Sequence, residues 1–90
     1  MITIRIPSPL RSYTDGQNNI LVVGSSVKEV LLDLIVQYPT LKVHMFTDTE
    51  ELRPFINIYL GDEDIRYLQG IDTPIKNGET LLIIPSIAGG

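Results

Sequence analysis

The chain has 90 residues and the length of a single domain, and its 43% hydrophobic content is sufficient for one apolar core. It contains no cysteine, which excludes disulfides, thiolate metal sites and cysteine nucleophiles. The net charge of −4 argues against nucleic-acid binding, which favours a basic surface. The sequence shows neither a signal peptide nor an apolar run of about 18 residues, so we expect a cytoplasmic protein.

The N-terminal part has the pattern of a β-hairpin. Isoleucines alternate with polar residues over residues 2–6, which predicts a strand with one buried face that ends at Pro7. Asp15-Gly16 favours a turn, and the apolar run at residues 20–23 predicts a second strand. We expect the two strands to pair.

A helix should follow the hairpin. Ser26 and Glu29 have the spacing of a capping box, and Pro39 should end the helix. Apolar residues recur at helical spacing and predict one buried face, formed by Val27, Val30, Leu31, Leu34, Ile35 and Tyr38. Residues 40–52 predict a short helical turn over the core and a surface loop, the core residues being Leu41, Val43, Met45 and Phe46.

The C-terminal half predicts further strands. In chain order we expect a strand at 55–60, a turn at 61–63, a short return strand at 64–66, a helical turn at 73–76, a tight turn at Asn77-Gly78 and a last strand at 80–84. The last strand is apolar almost throughout, which is typical of a central position. The element order predicts an α+β, β-grasp (ubiquitin-like) domain over residues 1–85. A mixed sheet of four to five strands would pack on one main helix.

Residues 86–90 form a predicted tail in which the side chains become progressively smaller. Glycine has no Cβ and tolerates close approaches, so Gly89-Gly90 suits a terminus that enters a narrow active site in another protein. Adenylation would activate the terminal carboxylate, and a sulfur nucleophile would then leave a thiocarboxylate on Gly90. A frayed or truncated chain end gives the same residues, so the tail alone leaves both interpretations open.

Two segments resemble the MoaD/ThiS ubiquitin-like sulfur carriers. Residues 77–90, Asn-Gly-Glu-Thr-Leu-Leu-Ile-Ile-Pro-Ser-Ile-Ala-Gly-Gly, resemble the end of those proteins, and residues 55–66 are similar to their Phe-Val-Asn stretch. Ser86 replaces a second proline found in many molybdopterin synthase small subunits. The sequence is more similar to the CysO-type carriers of cysteine synthesis, in which the Asp62–Arg66 run and an Ala-Gly-Gly end also occur.

The resemblance implies a protein cosubstrate and not an enzyme. An adenylyltransferase of the ubiquitin-activating type would adenylate Gly90 with ATP and convert it to the thiocarboxylate. A cysteine synthase-like enzyme or a molybdopterin synthase large subunit would accept the sulfur. The chain itself would bind no cofactor or metal. Cysteine or methionine synthesis is the first choice, molybdenum cofactor the second and thiamine the third. The alternatives are a modifier conjugated to lysines through Gly90, and a plain interaction domain.

Several residues are predicted to contact these partners: Ile84, Ile87, Ala88 and Gly89 at the tail, and Phe55 and Tyr59 on one strand face. Phe55 and Tyr59 have an equally weighted alternative, in which they cover a secondary core under the 40–52 loop. Asp62–Asp64 should form a solvated turn instead of a metal site. The single histidine, His44, lacks a second ligand or base and is expected to be structural or on the surface.

Overall fold

One mixed sheet of five strands packs against a long helix. The computed structural model describes residues 1–86. Its elements are β1 (Ile2–Arg5), β2 (Asn19–Val22), α1 (Val27–Gln37), α2 (Lys42–Met45), β3 (Ile56–Leu60), β4 (Glu63–Asp64) and β5 (Thr80–Pro85). The strand order is β2-β1-β5-β3-β4; the β1–β5 pair is parallel, and the other neighbours are antiparallel. This is the predicted β-grasp fold, with β5 in the predicted central position.

The core lies on one face of the sheet, under α1. Alternate strand residues and one stripe of the helix form it, as the two periodicities predict. At most 3% of each of these side chains is exposed: Ile2, Ile4, Val22, Ile58, Leu81, Ile83, Val27, Val30, Leu31 and Leu34. Ile35 and Tyr38 pack at the margin. α1 does not cover the opposite face of the sheet. The C-terminal end of β5 lies next to this open face.

The start of α1 agrees with half of the predicted capping box. Ser26 Oγ accepts the Glu29 backbone N–H at 3.2 Å, as expected. The Glu29 carboxylate instead accepts from the backbone N and the Oγ of Ser25, at 2.9 and 3.0 Å. Both hydrogen bonds from Ser25 lower the pKa of Glu29, and the bond from the backbone has the larger effect. Gly24 precedes them at φ +154°, where a Cβ would lie 2.8–2.9 Å from Glu29 and Val30 atoms.

The predicted return strand at residues 64–66 is too long. The strand ends at Asp64, and Ile65–Tyr67 form a 3₁₀ turn. The Asp64 carboxylate accepts the backbone N–H of Arg66 at 2.9 Å. An acidic side chain in this capping position turns the chain out of the ladder. Asp64 is therefore both the last strand residue and the cap of the turn.

The predicted helical turn at residues 73–76 is wrong. The 3₁₀ turn occupies Gly70–Asp72, and Thr73 closes it. Thr73 Oγ1 accepts from the backbone N of Gln69 at 3.0 Å and donates to the Gly70 carbonyl at 2.7 Å. Pro74 instead forms an isolated bridge with Ser26.

Two other segments refine the predictions. A 3₁₀ turn at Ser8–Tyr13, which was not predicted, has Pro9 at its second position, where the fixed φ of proline suits a helix start. Asp15 and Gly16 form the predicted turn, with φ of 54° and 79°, but inside a longer connection between β1 and β2. Val43 was placed over the core but is 62% exposed. Leu41 and Met45 are buried because residues four apart share a helix face, and Val43 lies opposite them.

Candidate functional site

The last strand ends at the same end of the sheet at which β3 begins. Pro85 lies opposite Ile56 in the ladder, and the Ser86 backbone N–H donates to the Phe55 carbonyl at 2.7 Å. Outside the described residues lie the predicted site residues Ile87, Ala88, Gly89 and Gly90. The ladder contacts of the described chain therefore extend one residue past Pro85.

A polar side chain of β3 binds the end of β5. Asn57 lies opposite Ile84, on the face of the sheet turned away from α1. Its Nδ2 donates to the Ile84 carbonyl at 3.0 Å and to Ser86 Oγ at 2.6 Å. The amide group therefore contacts both the backbone of Ile84 and the side chain of Ser86.

Asp64 and Arg66 form an ion pair next to Asn57. Arg66 Nη2 donates to Asp64 Oδ2 at 2.8 Å, and Nε contacts both carboxylate oxygens at 3.2 Å. Arg66 Nη2 also donates to Asn57 Oδ1. The side-chain hydrogen bonds of Arg66, followed by its backbone N–H, hold the pKa of Asp64 below its usual value. Asp64 raises the pKa of Arg66 in turn, so both groups stay ionised at neutral pH.

Asp64 does not fit the predicted solvated acidic turn. Only 7% of the residue is exposed, and its carboxylate is paired with Arg66. Asp62 and Glu63 are exposed, as expected. The correction follows from the sheet register, which places Asp64 opposite Tyr59. A carboxylate in such a position is retained when it is paired and hydrogen-bonded.

Phe55 and Ile84, which are predicted to contact partners, lie beside Ser86, whereas Tyr59 lies further along β3. Ile84 is 42% exposed and Phe55 is 44% exposed. Tyr59 is half-buried and lies opposite Leu82 of β5. The described core and the residues packed against it do not include Phe55 or Tyr59. The position of these side chains favours the outward surface over a secondary core.

Sequence reasoning missed the role of Asn57, Arg66 and Ser86. The available signal was Asn57 itself, since asparagine is depleted in strands and here interrupts an apolar run. The sequence pattern did not identify the hydrogen-bond partners of Asn57, because Arg66 was predicted to lie in a strand and Ser86 in the tail.

The remaining candidate groups have structural explanations. His44 stacks on Tyr13, with ring centroids 4.0 Å apart and an angle of 25° between the planes. Within residues 1–86, no three His, Cys, Asp or Glu side chains are placed to hold a metal ion. In the same range, no helix has the length and apolar character needed to cross a membrane.

The sequence matches the model of the ThiS family over residues 4–90. It is 34% identical over 91 residues to the sulfur carrier protein CysO of Mycobacterium tuberculosis, an alignment that covers 99% of this chain and 98% of that protein. The match confirms the resemblance predicted from residues 55–66 and 77–90. It also confirms the prediction of a small carrier protein that is not an enzyme.

Two solved structures are similar over nearly the whole chain. A chain of the Amycolatopsis orientalis BexX/CysO complex superposes with a TM-score of 0.91 and 36% identity, covering 100% of both chains. The small archaeal modifier protein 1 of Methanosarcina acetivorans gives a TM-score of 0.87 and 30% identity, covering 99% of this chain and 95% of that one. Fold and sequence thus agree along the full alignment. The protein belongs to the ThiS family.

Proposed function

We propose that this protein carries sulfur as a thiocarboxylate on Gly90. The observation that carries the proposal is the position of β5, a central strand that ends at Pro85, five residues before Gly90. β1 pairs with β5 up to Leu82 and β3 pairs with it up to Pro85, which gives the terminal segment a fixed origin. The family match, which extends to residue 90, supports the same site.

The chemistry requires two transfers at the terminal carboxylate. The Gly90 carboxylate attacks the α-phosphorus of ATP in a partner adenylyltransferase, and pyrophosphate leaves. Hydrosulfide then attacks the acyl carbon, AMP leaves, the thiol proton passes to solvent, and the thiocarboxylate remains. Such covalent activation replaces one difficult step with two easier ones. ATP belongs to the partner enzyme, and this chain contributes the carboxylate. A cytoplasmic location fits the need for ATP.

We infer that the sulfur passes to a synthase. The full-length similarity to CysO supports cysteine or methionine synthesis as the first choice. The crystal structure of a BexX/CysO complex supports docking of this fold to a second protein, for which a cysteine synthase-like enzyme is our first candidate. A molybdopterin synthase large subunit remains the second candidate, and thiamine synthesis the third pathway. Ile84, Phe55 and Tyr59 would contact the partner beside the tail.

A lysine-conjugated modifier is the second candidate function. The similarity to the small archaeal modifier protein 1 favours it, at 30% identity over 99% of this chain. Both functions use an activated Gly90, but they differ in the nucleophile. Sulfur gives a thiocarboxylate, and a lysine amine gives an isopeptide bond.

The test is incubation with the cognate adenylating enzyme, ATP and a sulfur source. We expect the intact mass to rise by the exchange of one oxygen for sulfur, and no rise with an active enzyme would contradict the proposal. Isopeptide adducts of Gly90 in cell extract, without thiocarboxylate, would favour the modifier.

A variant that lacks Gly89 and Gly90 is the matched control. It should fold with nearly the same melting temperature, because a chain end makes few contacts, and it should gain no sulfur. A melting shift of several degrees would contradict this expectation.

A further inference from the structure

Four side chains connect β4 to the last described residue. We call Asn57, Asp64, Arg66 and Ser86 the exit clamp. The hydrogen bonds run from the Asp64 carboxylate to Arg66, from Arg66 to Asn57 Oδ1, and from Asn57 Nδ2 to Ser86 Oγ. All four lie on the side of the sheet away from α1 or at its edge, so they add nothing to the apolar core.

The clamp determines which way the Asn57 amide faces. The guanidinium of Arg66 has only donors, so it must meet the amide oxygen. The amide nitrogen is then directed at the β5 segment, where the Ile84 carbonyl and Ser86 Oγ accept from it. Without Arg66, either end of the amide could face the segment, and the oxygen would repel the Ile84 carbonyl.

Asp64 determines where Arg66 lies. Its carboxylate accepts from the Arg66 backbone N–H and from the guanidinium, so one residue fixes both ends of the arginine. The Asp64 side chain is 8% exposed, whereas that of Arg66 is 60% exposed. Because the guanidinium is largely in solvent, the pair is partly screened and its contribution to global stability is modest. Its geometric effect on Asn57 is therefore the larger consequence.

We propose that the exit clamp fixes the point at which the C-terminal segment leaves the sheet, and that Asn57 and Arg66 are positioning residues for the reactions of Gly90. This inference rests on the proposed sulfur-carrier function. From Ser86, the four remaining residues span at most roughly 14 Å. If Pro85 and Ser86 detached, six residues would span roughly 21 Å. The volume within reach of the carboxylate would then grow about threefold, and its effective concentration in a partner active site would fall accordingly.

Asn57→Leu tests the clamp, because leucine has a similar shape but neither donates nor accepts a hydrogen bond. We expect exchange of the Ser86 amide hydrogen to accelerate about tenfold, from the loss of two hydrogen bonds. The kcat/KM of adenylation should fall about threefold, mainly through KM. Exchange at the Ile4 amide in β1 should not change, which separates the clamp from general destabilisation.

Gln37→Met is the matched control variant. The Gln37 amide also donates to a strand carbonyl, that of Leu21 at 2.9 Å, and to an acidic side chain, but it lies on α1. It should leave Ser86 exchange and adenylation unchanged. Ser86→Ala provides a second test at an exposed position, where folding is not at risk, and should change both readouts in the same direction as Asn57→Leu by a smaller factor.

Normal Ser86 exchange and normal kcat/KM in Asn57→Leu and Ser86→Ala would overturn the clamp. Accelerated exchange at Ser86 and Ile4 alike would overturn it in favour of a purely structural role. If the unmodified protein is not adenylated at all, the proposed function fails, and with it the role of the clamp in that reaction. The two failures are distinguishable, because failure of the clamp proposal would be seen in a protein that is still adenylated.

Discussion

Ile84 should contribute to partner docking out of proportion to its contribution to folding. It lies on β5, opposite Asn57, two residues before the last described residue, and it is 42% exposed. Under the proposed function, a partner that receives Gly90 would approach this end of β5. Ile84→Ala removes most of the exposed apolar surface at that position and keeps the strand backbone unchanged.

The magnitude follows from the exposed fraction. Complete burial of an isoleucine side chain contributes about 1.5–3 kcal/mol. The 42% that is exposed in the free protein can therefore contribute about 0.6–1.3 kcal/mol when a partner covers it. This corresponds to an increase in KM of about three- to ninefold. The kcat should change little, because Ile84 lies six residues before Gly90, the proposed reactive residue.

The assay is steady-state adenylation by the cognate enzyme, followed as pyrophosphate release over a range of carrier concentrations. Val36→Ala is the control, since Val36 is 75% exposed and lies on α1. If exposed apolar area alone mattered, the control would have an effect at least as large. Equal KM values for the two variants, or an unchanged KM for Ile84→Ala, would refute docking at this edge.

Three further outcomes are expected. Gly24→Ala should lower the free energy of unfolding by about 1–3 kcal/mol in urea, because its Cβ would contact the Val30 backbone; Gly16→Ala, with open space around it, should cost less. Ser26→Ala should cost about 1 kcal/mol through loss of the α1 cap, and no change in the urea midpoint would contradict this. The paired Asp64 has a lowered pKa, so its ionised form stabilises the fold above the unfolded pKa of about 3.9. That contribution is lost as the pH falls through the folded pKa. The difference in free energy of unfolding between the unmodified protein and Asp64→Asn should therefore become smaller in acid, and a difference that stays constant with pH would contradict the pairing of Asp64 with Arg66.

The fold was predictable where one periodicity dominates. The alternation of Ile2, Ile4 and Ile6 and the helical spacing from Val27 to Leu34 each identify a single buried face, and the structure buries those residues. The apolar run of β5 correctly indicated a central strand. Short segments without periodicity were predicted less well, because a single side-chain hydrogen bond decides them. Asp64 and Thr73 each redirect the chain in this way.

The sequence by itself determined the β-grasp class and the family, and it led to the proposal that Gly90 is the reactive residue, since these depend on local pattern and on residue type. Only the tertiary structure decided how the end of β5 is held. Asn57, Arg66 and Ser86 are far apart along the chain, and they meet because the antiparallel β3–β5 register places Asn57 opposite Ile84 and the Asp64 cap turns Arg66 back over the sheet. Such contacts depend on strand register, which sequence spacing does not encode.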